Sequence, residues 1–435
     1  MTRIAERMRQ VVTRALRDRK GAISMITAIS MTSVLGFVGL GTEAGYWYVT
    51  KRNMQGVADA AAFTGAAALL KSDSPTNAAA TVAAQAGFVQ GTNNVSVTVN
   101  NGPQSGNYIG NKWAVEVVIS QPQPRLLSTL FMSSDPVISA RAVALVEANC
   151  VSQKTCGCVL ALDQSSYIDI KDSGNVTLNM QNCSMYVNSD NRTSALWLNG
   201  NVTVNAYSTF VDGGINGISH LNDSNGTYDN TGTVSPDPYR TVNYDPYSQT
   251  VCDNTTGLPP AGSTTYTPGV YCAGMTMNTS QSYTMAPGTY YLKGGNFTVN
   301  GSASVTGTGV TVVLTGNSTT GYGNVKINGA GNVSLTAPTS GDLQGIVFYQ
   351  DRAAPYSTLP QINQINGGSN INITGAIYFP NQLVDYSGGT TQGSAQCTQL
   401  VAYAINFSGN AALNYSGCDS AGVGKIGVTW AMLVE

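Results

Sequence analysis

The stretch GYWYVTKRNMQGVADAAAFTGAAALL, residues 45–70, opens with Tyr46, Trp47 and Tyr48, passes through Lys51 and Arg52, and ends in an alanine tract. Immediately before it, GAISMITAISMTSVLGFVGLGT at 21–42 runs for 22 residues without a charge. A helix rising about 1.5 Å per residue would carry such a run across a hydrocarbon core of roughly 30 Å, so a transmembrane helix is predicted over 21–45. No Gly or Pro cluster separates the span from the alanine tract, and one helix is expected from about residue 21 to about residue 71. The three aromatics then fall at the outer membrane interface, where a ring can be half apolar and half wet.

The flanks orient the span. Residues 1–20 form a basic head with Arg3, Arg7, Arg9, Arg14, Arg17, Arg19 and Lys20 against Glu6 and Asp18, although the whole chain carries a formal charge of −2. Lys51 and Arg52 are the near cations on the other side, so the N-terminus is expected in the cytoplasm and the bulk outside. Nucleic acid is not an expected partner, because no basic patch follows the head. An uncleaved anchor is expected over a cleaved signal peptide, since the run exceeds a usual h-region and lacks a clear A-x-A site.

The order of residues across this region carries a resemblance. Arg19, Lys20 and Gly21 start the span; Glu43, Gly45 and Tyr48 form an acid-x-Gly with an aromatic; Arg52, Met54, Gln55, Ala58, Asp59, Ala60, Ala61 and Ala62 follow. This resembles the N-terminal signature of the TadE/TadG-like proteins of bacterial Tad (Flp) pilus systems over about 50 residues. Glu43 stands where that family usually has Asp. The resemblance implies a single-pass inner-membrane protein with its bulk periplasmic or at the cell surface. Its implied partners are the membrane, pilus or pilus-assembly subunits, and further copies of itself through the helix.

Candidate helix-packing residues are Gly41, Glu43, Gly45, Tyr48, Arg52, Gln55, Asp59 and Ala62; candidate membrane-interface residues are Arg19, Lys20, Tyr46 and Trp47. Gly41 and Gly45 have the small-x-x-x-small spacing that lets helices approach, although alanine is also simply the best helix former. Glu43 is costly if it faces lipid and is expected to turn to water, to a partner helix or to Lys51 and Arg52. Some relatives are cleaved after a Gly with Glu at the fifth mature position. The fifth residue counted from Gly21 is Met25, so no such cleavage is expected.

Beyond the helix the composition changes character. Only 10% of residues are charged, with 48 Gly and 22 Tyr, which favours a mostly β chain. VSVTVN and WAVEVVIS alternate with period two as strands do, and Leu126, Leu127, Leu130 and Phe131 in QPQPRLLSTLF suit a short helix. Periodicity alone does not assemble these elements; the resemblance implies that residues 46–148 form a helix on a small sheet, the plan of pilin-like units.

Residues 149–435 are expected to form one β-rich exported domain. Its loose repeat, GNVTLN at 174, GNVTVN at 200, GNFTVN at 295, GNVKIN at 323, GNVSLT at 331 and SNINIT at 369, fits the coils of a right-handed parallel β-helix. A β-sandwich is the alternative. The Pro- and Gly-rich segment 220–262 is expected to leave the regular coils.

All eight cysteines lie in this region, which points to an oxidising compartment. Proximity favours pairing Cys150 with Cys156, Cys158 with Cys183, Cys252 with Cys272 and Cys397 with Cys418. Zinc is disfavoured: Cys156-Gly157-Cys158 is C-x-C, and His220 is the chain's one histidine.

Catalytic chemistry is not expected. After Cys150 the only glutamate is Glu435, and Asp169 and Asp172 sit three apart near a turn. Asp351 and Arg352 read as a loop bridge, and His220 lacks an acid or nucleophile partner. NDSNGTYD at 222–229 offers oxygens without an EF-hand spacing. No metal or cofactor is therefore expected, and assembly is the expected role, with a β domain rich in Tyr, Asn and Thr as spacer or contact surface. The rival readings are a β-helical carbohydrate-active enzyme and a free-standing adhesin for a surface glycan.

Overall fold

The computed structural model describes residues 19–70, 73–150, 153–165, 167–180, 182–240, 242, 251–278, 280–328, 332–359, 362–366, 371–388 and 397–435. The chain divides into two compact units, one holding the residues up to Leu69, Asp73–Leu145 and Ala431–Glu435, the other Val146–Trp430. The basic head before Arg19 lies outside the described residues.

The first unit is built on helix α1, Arg19–Leu69, which continues unbroken past the end of the uncharged run. It is long and apolar enough to cross a membrane. In its early part Ile26, Ile29, Val34, Leu35, Phe37 and Val38 are exposed, whereas Met54, Ala58, Ala61, Ala62 and Ala66 are fully buried. These recur at spacings of three and four, one stripe of a 3.6-residue helix. Small side chains let other elements approach closely: a Cβ on Gly65 would meet Val115 Cγ1 at 2.9 Å and Ala79 Cβ at 3.2 Å.

Helix α2, Pro75–Gln85, supplies Ala79 and Ala83 to this core. It begins with Ser74, whose hydroxyl accepts from the Asn77 amide, and with Pro75, whose missing N–H is no loss in a first turn. Strands β1 (Ser96–Asn101), β2 (Ala114–Pro122) and β3 (Val137–Asn149) form an antiparallel sheet with Val99 opposite Val117 and Ile119 opposite Ala140. The expected short helix at Leu126–Phe131 is only a 3-10 turn, Ser128–Leu130.

The sheet has a fourth strand that local sequence did not announce. Val428–Leu433 lies beside β3, and Val434 N donates to Val143 O. Residues 431–435 therefore belong with the first unit rather than with the β-rich domain expected over 149–435. The pairing covers a β3 edge that would otherwise be open.

The second unit is one large sheet of stacked parallel strands. Among the described residues its antiparallel pairing is confined to Val310–Asn317 with Gly321–Tyr322 and a bridge between Thr398 and Asn414. A sandwich of antiparallel sheets is thus not what forms. The repeats become vertical neighbours: Val176 of GNVTLN pairs with Val202 of GNVTVN, Phe297 with Val325, and Val333 with Ile371. Val176, Val202, Val305, Val333 and Ile373 point inward and are buried. On the outside Asn201 donates to Asn175 at 3.0 Å and Asn205 to Asn179 at 2.8 Å, an amide ladder between coils.

Stacking order departs from chain order. From Thr265 the coils rise in sequence to Ile371–Gly388 and then Thr398–Ala412, but the next strands on the stack are Gly157–Ala161 and Ile170–Met180, followed by Leu196–Val211 and Leu221–Tyr228. The expectation that 220–262 leaves the stack holds only in part: Leu221–Tyr228 is itself one of its strands, and it is the chain after Tyr228 that must return to the opposite end. On the way Asp237 accepts from Tyr378 Oη at 2.7 Å, and Arg352 donates to Val242 O at 3.0 Å.

The four disulfides join Cys150 to Cys156, Cys158 to Cys183, Cys252 to Cys272 and Cys397 to Cys418. The last three pairs are separated by 25, 20 and 21 residues. That is close to the sequence separation of strands paired in parallel, 22 residues from Tyr283 to Val305 and 26 from Val176 to Val202.

Candidate functional site

The candidate residues of α1 fall into three environments. Gly41 and Gly45 are open, with nothing within 4 Å of where a Cβ would stand. Tyr46 and Tyr48 are exposed, and the Arg52 guanidinium lies 5.9 Å from the Tyr48 ring centroid. Trp47 is half-buried, and its indole Nε1 has no hydrogen-bond partner. Arg19 and Lys20 form the first turn of the helix through their backbone.

The remaining candidates turn inward. Gln55 Nε2 donates to Asp59 Oδ1 at 2.7 Å and to the Arg141 carbonyl at 2.9 Å, tying the helix to β3. Ala62 is fully buried in this chain's own core, so the alanine face expected to meet neighbouring subunits is occupied at home. Small residues left uncovered include Gly41 and Gly45 nearer the span, and also Ala44, Gly56 and Ala60.

Glu43 corrects a second expectation. It meets neither Lys51 nor Arg52; its carboxylate is buried and accepts from the backbone N–H groups of Leu126, Leu127 and Ser128 at 2.8, 3.1 and 2.9 Å, and from Ser128 Oγ at 2.6 Å. A buried carboxylate is tolerated when its oxygens are so saturated. The partner lies more than eighty residues away in sequence, and the only signal for it was a cluster of large apolar residues after Gln121-Pro-Gln-Pro124.

A polar network opposite the helix also escaped the sequence. Arg141 Nε binds Glu116 Oε1 at 2.6 Å and its Nη1 binds Glu435 Oε2 at 2.7 Å. Burial pushes the Glu116 carboxyl up, but hydrogen bonds from Asn100, from the Gln104 amide and from Arg141 outweigh it and hold it below the ordinary glutamate range.

In the second unit the residues weighed for chemistry are engaged structurally. Asp351 accepts from Thr315 Oγ1 at 2.7 Å and from the Ala353 amide at 2.9 Å, and Arg352 holds the returning segment through Tyr239 O and Val242 O. His220 Nδ1 lies 2.9 Å from Val202 O. Within NDSNGTYD, Asp223 accepts from Thr209 and Thr227, so its oxygens serve the coil. Among the described residues no group of three or more His, Cys, Asp or Glu is placed to hold a metal ion.

The tyrosines are also placed differently from expectation. Tyr266, Tyr290, Tyr349, Tyr378, Tyr386 and Tyr415 are core residues rather than a contact surface. One outward-leading series exists: Tyr186, Phe210 and exposed Tyr228 stack at centroid distances of 4.8 and 4.5 Å beside Asn188 and Ser235.

The long helix, with its bare apolar start, its acid and its packed alanine tract, coincides with a known family model, described as Flp pilus-assembly TadE/G-like, which matches residues 21–68. Residues 21–68 are a TadE/G-like segment. No curated protein matches the chain, and no solved structure does. The TadE/G-like segment ends at the last turn of α1, so Glu43 and Gln55 lie inside it while their partners Leu126–Ser128 and Arg141 lie outside.

Proposed function

We propose that this protein is a non-enzymatic, single-pass TadG-like component of Tad (Flp) pilus assembly. Its N-terminus is cytoplasmic, and its parallel-strand unit, read as a right-handed parallel β-helix, is carried outside the inner membrane as a spacer or contact body. The observation that carries the reading is the TadE/G-like match over a helix whose first part is apolar and bare. Such a surface is costly in water and at home in lipid. The disulfides support an oxidising compartment for the second unit.

Assembly contacts are assigned to the helix surface left open around Gly41, Gly45 and Tyr48, where a second helix can approach. A photo-crosslinking residue at Tyr48 in intact cells should capture pilus or pilus-assembly subunits. Capture of none, with an intact chain in the membrane fraction, overturns the reading.

A second reading, binding of a surface glycan, is favoured by the aromatic series ending at Tyr228, since sugar rings stack on such faces. Retention on a glycan array that is lost in Tyr228→Ala supports it. Turnover of any glycan on the same array would instead revive the carbohydrate-active enzyme.

A further inference from the structure

The segment Arg125–Met132 combines two features that are hard to reconcile in water. Its large side chains point outward: Leu126, Leu130 and Phe131 are 75%, 76% and 77% exposed. Yet it is firmly built. Arg125 Nε binds Asp135 Oδ1 at 2.6 Å and its guanidinium also reaches the Met132 carbonyl, closing the loop at its base. At the tip, Glu43 receives three consecutive backbone N–H groups and the Ser128 hydroxyl. A rigid loop that exposes three large apolar side chains is a surface shaped for an apolar environment.

Its position on the helix says which one. Leu127 packs where α1 has no side chain, its Cδ1 filling the place a Cβ on Gly39 would occupy. Gly39 and Glu43 bracket the end of the uncharged run, Gly21–Thr42, and exposed Phe37 and Val38 lie just before Gly39 on the span. The loop is thus fixed at the depth where the bare helix leaves the bilayer, continuous with its apolar surface. Irregular backbone at that depth is tolerated only when its polar groups are satisfied internally, and the Glu43 carboxylate does this for Leu126, Leu127 and Ser128.

We propose that Leu126, Leu130 and Phe131 form a second membrane contact, inserted into the interfacial layer of the leaflet on the far side from the basic head, with Glu43 as the positioning residue that holds them there. The proposal rests on the membrane-spanning reading of α1. A helix alone leaves rotation about its axis and tilt free, and an apolar wedge beside it restrains both.

Depth-dependent quenching tests it. The full chain, disulfides intact, is reconstituted in phosphatidylcholine vesicles with a fluorophore on Val34→Cys, Leu130→Cys, Phe131→Cys or Phe63→Cys. Phe63 is exposed on the same helix, about 30 Å farther along its axis than Glu43. Lipid-borne quenchers should remove most of the signal at Val34, Leu130 and Phe131 and spare Phe63. Adding Glu43→Ala should lose most of the quenching at Leu130 while Val34 keeps its own, because the loop is released and the span is not. Quenching at Val34 with Leu130 and Phe131 spared overturns this proposal and leaves the span standing. Absence of quenching at Val34 overturns the membrane reading and the wedge with it.

Discussion

In the first unit Glu43 receives four hydrogen bonds and Glu116 sits among Asn100, Gln104 and Arg141, whereas in the second Asp169 and Asp172 are fully buried and each keeps one oxygen without a partner. Donors decide the first case: at Glu116 they outweigh burial and favour the anion. Burial decides the second. It pushes Asp172 up to about 7 against one hydrogen bond from the Phe407 amide, and it pushes Asp169 well above the ordinary aspartate range, with neighbouring Asp163 adding to the effect. A buried acid can therefore be a fastening in one part of a chain and a neutral filler in another, according to how many donors reach it.

The two units should consequently respond to pH with opposite sign. Glu116 has a lowered value, so its contribution is present above the unfolded value near 4.5 and is lost as pH falls through the folded one. Asp172 has a raised value, so the unfolded chain releases its proton first. The Asp172 contribution is then lost as pH rises from about 4 to about 7, and Asp169, raised by burial as well, acts in the same direction.

The strongest way to break the comparison is Arg141→Met. It removes the cation from buried Glu116 and should cost the first unit about 3 kcal/mol in denaturant unfolding, toward the low end for such losses because Arg141 is partly exposed. The second unit's transition should not move; a shared shift would show that the units do not melt separately. Asp172→Asn sharpens the other side. It should stabilise the second unit by about 3 kcal/mol more at pH 7 than at pH 4, because only the ionised form is penalised by burial. Equal gains at both pH values would refute the assignment. The smallest effect is expected from Asn205→Ala, which cuts the amide ladder to Asn179 and should cost about 1 kcal/mol with no pH dependence, separating neutral coil-to-coil bonding from the charge effects.

Local interactions were the ones legible in the sequence. Alternation marked the strands, and the Gly-Asn repeats marked rungs because stacked coils make similar demands at the same height: GNVTLN and GNVTVN lie in register residue for residue. The cysteine pairs were legible for the same reason, parallel pairing of successive strands bringing residues 20 to 25 apart into contact. Long-range returns were not legible. Nothing in Val428–Leu433 says that it completes a sheet begun at Ser96, and nothing in Thr398–Ala412 says that Ile170–Met180 rests on it. Glu43 shows the limit most plainly at the candidate site: its charge pointed to the nearest cations, while its partners were amides, which every sequence offers and none advertises.

The displaced stacking order has a consequence for biogenesis. The strands Gly157–Ala161 and Ile170–Met180 are translated well before Thr398–Ala412, the strand on which they rest. Early rungs must wait as a partly assembled nascent fragment, with one face unmatched, until nearly the whole polypeptide has been synthesised. Completion of this body thus waits on its late-made region.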